Sequence, residues 1–230
     1  MKKFGLTNNQ LKIIAMLAML LDHIGKELLP QYPVLQIIGR LAFPIFAYMI
    51  AEGCFYTKNK MRYFLTVALL GVGCQAVYLV VEHSFYQNIL ITFSLSIILI
   101  FSLENFRIKR EKISAIILFS TVFVVLAICT VMPVALKEQG FQIDYGVFGV
   151  LLPVAVFYAP DKSRKLVYTT GILILLSNSF GGIQWFSLFA VPLLALYNQK
   201  RGKYNIKPLF YIFYPAHLVV IYLIALFLNK

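Results

Sequence analysis

Runs of about 20 apolar residues, separated by short polar breaks, take up almost the whole of this 230-residue chain. A bilayer core about 30 Å thick needs a helix of that length to cross it, and backbone groups at that depth must be satisfied within the segment itself. Sixty per cent of the residues are hydrophobic and 13% are charged, a usage far from that of a soluble domain. The chain is therefore read as an all-α, polytopic helical membrane protein with a single membrane domain over residues 1–230. Nine transmembrane helices are expected, at roughly residues 8–29, 33–55, 62–82, 88–105, 112–133, 145–160, 165–180, 183–198 and 207–228. The seventh and eighth are short and separated only by Asn178-Ser179-Phe180-Gly181-Gly182, so they either cross fully or form a re-entrant pair. Met1-Lys2-Lys3 resembles the start of a signal peptide, but no small-residue cleavage site follows, and the first run is expected to stay as a span. Cys54, Cys74 and Cys129 lie in separate apolar segments without metal or disulfide spacing and read as small buried hydrophobes.

Orientation follows from the basic residues. Of 21 lysines and arginines, all but Lys26, Arg40, Lys137 and Lys230 fall in the N-terminal segment or in the loops that share its side. The positive-inside rule then places the N-terminus in the cytoplasm and, with nine spans, the C-terminus outside. The net charge of +12 reflects this topology and contact with anionic lipid, and it does not point to nucleic acid.

Ionisable groups at membrane depth are costly and usually functional, so Asp22-His23 in the first span is the leading candidate for chemistry. Ala15, Ala18, Asp22 and Gly25 share one helical face, a small-residue stripe that directs Asp22 into the bundle. His23 lies about 100° further round, where it can face a cavity bordered by the second helix. In that helix Pro44 cannot donate to the carbonyl of Arg40, so a kink is expected there, with Arg40 either pairing with Asp22 or holding an anionic oxygen. Glu52 either belongs to the same site or forms a structural ion pair with Lys58 or Arg62. Asp144, followed by Tyr145 and Gly146, either contacts substrate or caps the sixth helix, and Gly146 and Gly149 permit close backbone approach. In the last helix Pro215 frees the carbonyl of Tyr211, and His217, next to Tyr214, forms a second polar break near mid-membrane.

These segments in combination, Leu21-Asp22-His23-Ile24-Gly25, Gly39-Arg40-Leu41-Ala42-Phe43-Pro44, Ala51-Glu52-Gly53, Asp144-Tyr145-Gly146 and Phe210-Tyr211-Ile212-Phe213-Tyr214-Pro215-Ala216-His217-Leu218, resemble the signature of the TraX family from end to end. That family includes the acetylase of a conjugative pilin N-terminus and looks related to the larger group of transmembrane acyltransferases. The resemblance implies a multi-pass protein of the bacterial cytoplasmic membrane. It also implies an acetyltransferase that takes acetyl-CoA from the cytoplasm and delivers acetyl to an amine or hydroxyl, on a protein N-terminus or a glycan. His23 would correspond to the reactive histidine, with Asp22, Arg40, Asp144 and His217 around the reaction.

Acetyl transfer needs a base for the acceptor proton and a donor for the oxyanion. Neutral His23 can be that base or a transient acyl carrier. Asp22 would orient it or balance its cation, Arg40 or Tyr214 would support the oxyanion, and Glu52, Asp144, Tyr145 and His217 would contact the substrates. Lys58, Lys60, Lys203 and Lys207 are the candidates for the CoA phosphates. No metal is implied, the partners are the bilayer, acetyl-CoA and the acceptor, and a homo-oligomer is compatible with the sequence. Two other classes stay open on the same residues: a proton-coupled transporter, against which the odd span count and lack of an inverted repeat weigh, and a non-catalytic membrane assembly factor.

Overall fold

The computed structural model describes residues 5–81, 83–204 and 206–228, without the side chains of Val81 and Lys207. Every segment read as a span is helical. Among the described residues, Pro33–Tyr56, Lys60–Val80, Ile89–Lys109, Lys112–Ala135 and Pro208–Leu228 are long and apolar enough to cross a membrane, and Gly146–Tyr158 and Gly182–Ala195 are shorter apolar stretches. The first helix, α1 (Asn8–Glu27), has the length but is diluted by Asn8, Asn9, Gln10, Lys12, Asp22, His23, Lys26 and Glu27.

The chain forms two compact units, one from residues 1–49 with 161–230 and the other from residues 50–160. In the first unit, α1 opens with a capping box in which Thr7 and Gln10 satisfy each other's backbone donors. It packs along α2 (Pro33–Gly39) and against α11 (Lys207–Leu228). The expected second span is divided at Arg40-Leu41 into α2 and α3 (Ala42–Tyr56), rather than kinked at Pro44. The cause is the same proline: with no N–H on Pro44 for the carbonyl of Arg40, the helix stops and restarts, and Pro44 falls in the first turn of α3, where a missing donor costs nothing. Residues 182–198 are not one regular helix either. After α9 (Lys162–Phe180), Gly181 and Gly182 take positive φ, a 3-10 helix runs over Gly182–Phe189, and α10 (Ala190–Ala195) follows. The end of α10 is closed by Lys162, whose Nζ donates to the carbonyls of Ala195 and Tyr197 at 2.5 and 2.7 Å. Leu6 pairs with Tyr197 in a parallel bridge, with Leu6 N–H donating to Leu196 O and Asn198 N–H to Leu6 O, both at 2.8 Å.

In the second unit, α5 (Ile89–Lys109) packs against α4 (Lys60–Val81), α6 (Lys112–Leu126) and α8 (Gly146–Tyr158). Its buried face carries small hydroxyls, and Ser96 Oγ donates across to Val150 O at 2.9 Å. On α6, Phe119 and Phe123 are exposed, as lipid contact requires. A π turn, Ala127–Val131, links α6 to α7 (Met132–Ala135) just before Pro133, which lacks the N–H a regular helix would need there. Two short strands, β1 (Tyr86–Gln87) and β2 (Gln142–Ile143), pair in parallel and tie the segment before α5 to the segment before α8.

Candidate active site

The small-residue stripe of α1 does what its spacing predicts. Ala15 and Ala18 are buried, Gly25 lies against Leu35 and Gln36 of α2, and Asp22 faces the same helix. A Cβ on Gly39 would collide with the Asp22 side chain, so glycine there lets the two helices close with the acid between them. Of the two roles open to Arg40, pairing is the one seen: its guanidinium donates to Asp22 Oδ1 at 2.5 Å, each side chain 20% exposed. Its Nε also reaches the carbonyl of Gln36, and Gln36 Nε2 reaches that of Gly25 at 3.3 Å.

His23 does not look toward α2. Asp22 takes that side, and a 100° step around α1 carries the imidazole to α11, where its ring centroid lies 5.1 Å from that of His217 at an interplanar angle of 65°. His217 is buried. Its ring stacks on Phe213 with centroids 4.9 Å apart and meets the edge of Tyr214 at 5.7 Å. Its Nδ1 lies 2.8 Å from the carbonyl of Phe213, an acceptor only, so Nδ1 carries the proton and Nε2 holds the lone pair. Among the described residues Nε2 has no hydrogen-bond partner, although it is buried.

The first unit thus brings together Asp22, His23, Arg40, Tyr214 and His217, five of the residues selected in the sequence. Phe213 and Gln36 were not selected. Phe213 was legible as the residue four before His217 on the same helix face, whereas Gln36, at the α1–α2 contact, carried no distinguishing signal.

Glu52, Asp144 and Tyr145 belong to the second unit. Glu52 is buried in α3. The residue at the N-cap position of α8 is Tyr145, held at φ 59° and making no side-chain cap bond. Asp144 accepts from the Tyr86 hydroxyl at 2.8 Å, and its carbonyl accepts from Thr92 at 2.9 Å. Burial and the neighbouring carboxylate raise the Tyr86 phenol well above its usual value. Of the two glycines, Gly149 packs tightly against Thr92, while a Cβ on Gly146 would meet open space.

Among the lysines, Lys60 is paired with Glu104 at 2.6 Å and sits over the Phe101 ring. Lys58 lies in the α3–α4 loop, and Lys203 lies over Tyr204. The side chain of Lys207 is outside the described residues.

The model of the family described as TraX protein matches residues 7–225. The chain belongs to the TraX family. Its relatives include the probable fimbrial assembly protein FimC, serogroup H1, of Dichelobacter nodosus, 25% identical over 245 residues that cover 96% of both chains. An uncharacterized protein of Rickettsia prowazekii is 31% identical over 163 residues, 70% of this chain and 59% of that one. No solved structure matches. The family match runs from the cap of α1 through most of α11, so it includes all five residues brought together in the first unit of this TraX-family chain.

Proposed function

We propose that this TraX-family protein transfers an acetyl group from cytoplasmic acetyl-CoA to an amine or hydroxyl, with His23 as the base or transient acyl carrier. The observation that carries the reading is the meeting of His23 and His217 beside the Asp22–Arg40 pair. Two imidazoles, one with a fixed and unoccupied acceptor nitrogen, give a site able to move a proton between acceptor and leaving group. With Asp22 engaged by Arg40, the acid holds the guanidinium in place, and Arg40 or Tyr214 is assigned to support a developing oxyanion. Glu52, Asp144 and Tyr145 are assigned to substrate contact in the same reading. Lys203 and Lys207, with Lys58 and Lys60, are assigned to the CoA phosphates.

In this reading the protein crosses the bacterial cytoplasmic membrane nine times from a cytoplasmic N-terminus, so that Lys203 and Lys207 lie on the side of acetyl-CoA. A pilus subunit N-terminus is the proposed acceptor, in keeping with the name of the Dichelobacter relative, a probable fimbrial assembly protein. That name equally fits an assembly factor without catalysis.

The deciding experiment is to incubate the purified full-length protein in nanodiscs with acetyl-CoA labelled in the acetyl group. Saturable binding and movement of label to the protein or to an added amine support the reading. Absence of both overturns it in favour of the assembly factor.

A further inference from the structure

We infer that Nε2 of His217 takes the acceptor's proton during acyl transfer, an inference that rests on the function proposed above. Three observations carry it. The Nδ1–H···O=C bond to Phe213 fixes the tautomer that leaves a lone pair on Nε2. Nε2 is buried with no partner among the described residues, an arrangement that is costly for a merely structural histidine and that calls for a use. The stack on Phe213 and the T-shaped contact with Tyr214 restrict the ring, so the lone pair points in one direction. By contrast, no hydrogen bond among the described residues fixes the tautomer of His23, whose ring contact is with His217 itself.

The step balances without another reactant. The acceptor nitrogen or oxygen forms a bond to the acyl carbon while its N–H or O–H proton passes to Nε2 of His217. The bond from the acyl carbon to its leaving group, a ring nitrogen of His23 acting as the transient acyl carrier, breaks with its electron pair. The proton on His217 then returns to that leaving group, and both histidines end neutral.

The test uses the full chain in nanodiscs, labelled acetyl-CoA and three primary amines of falling basicity: ethylamine, glycinamide and trifluoroethylamine. In His217→Asn the amide keeps a donor for the carbonyl of Phe213 but removes Nε2. Transfer to ethylamine should fall by about 10²- to 10⁴-fold, and the deficit should shrink along the series to trifluoroethylamine. A weakly basic amine becomes acidic enough on attack to lose its proton to water unaided, whereas a strongly basic one does not. His217→Gln serves where His217→Asn does not fold, and should show the same gradient. An equal loss for all three amines, or no loss, overturns the inference and leaves the acyltransferase reading standing. If the wild-type protein transfers label to none of them, the proposed function falls and this inference with it.

Discussion

Asp22 occupies the volume that a Cβ on Gly39 would fill, so the approach of α1 to α2 depends on one missing methyl group. Gly39→Ala gains helix propensity worth about 1 kcal/mol, but it forces the acid away from Arg40, and overpacking of this kind costs about 1–3 kcal/mol. We expect a net loss of thermal stability in detergent. In an Asp22→Ala background the same substitution should be close to neutral. An equal cost in both backgrounds would show that the contact is not what Gly39 serves.

His23→Ala should fold and bind acetyl-CoA with affinity near that of the wild type, yet lose about 10²- to 10⁴-fold in transfer. Asp22→Asn is expected to act through Arg40, because it removes the carboxylate to which the guanidinium donates at a site only 20% exposed. Adding Arg40→Gln should therefore recover stability lost in the single variant, as read by thermal unfolding. If the double variant is the sum of the two singles, the pair is not coupled.

Topology is tested with single cysteines introduced at exposed positions. Lys109→Cys and Arg201→Cys should be shielded from an impermeant thiol reagent in intact cells, and Gln139→Cys should react. The reverse pattern would invert the orientation and remove Lys203 and Lys207 from the side of acetyl-CoA.

Tyr86 gives a pH signature. Its phenol titrates higher in the folded chain than in the unfolded one, so it contributes stability that is present below the ordinary tyrosine value of about 10 and is lost as pH rises beyond it. Tyr86→Phe should lower thermal stability at neutral pH by about 1–3 kcal/mol and should flatten the alkaline decline. An unchanged alkaline slope in the variant would mean that the bond to Asp144 does not set it.

Helix positions were legible because apolar length in a bilayer is a strong constraint, and every expected span is helical. The pairing of Asp22 with Arg40 was legible too, because an acid on a small-residue stripe and an arginine before a proline each need a partner at membrane depth. The direction of His23 was not. One helical step decides between α2 and α11, and only the Asp22–Gly39 contact fixes which way the step points. The bond between Asp144 and Tyr86 was not legible, because a local pattern, acid before glycines, says nothing of a hydroxyl 58 residues away in sequence. The 3-10 stretch over Gly182–Phe189 was hidden because its apolar content matches that of an ordinary helix.

The first unit is assembled from the two ends of the sequence, with the second unit encoded between them. A ribosome therefore delivers α1 and α2 long before α9 and α11, and His23 has to wait in the bilayer for His217. Leu6 likewise gains Tyr197 only after the whole of the second unit has been made. Transfer at the histidine pair, as proposed above, is therefore expected only after α11 has joined α1.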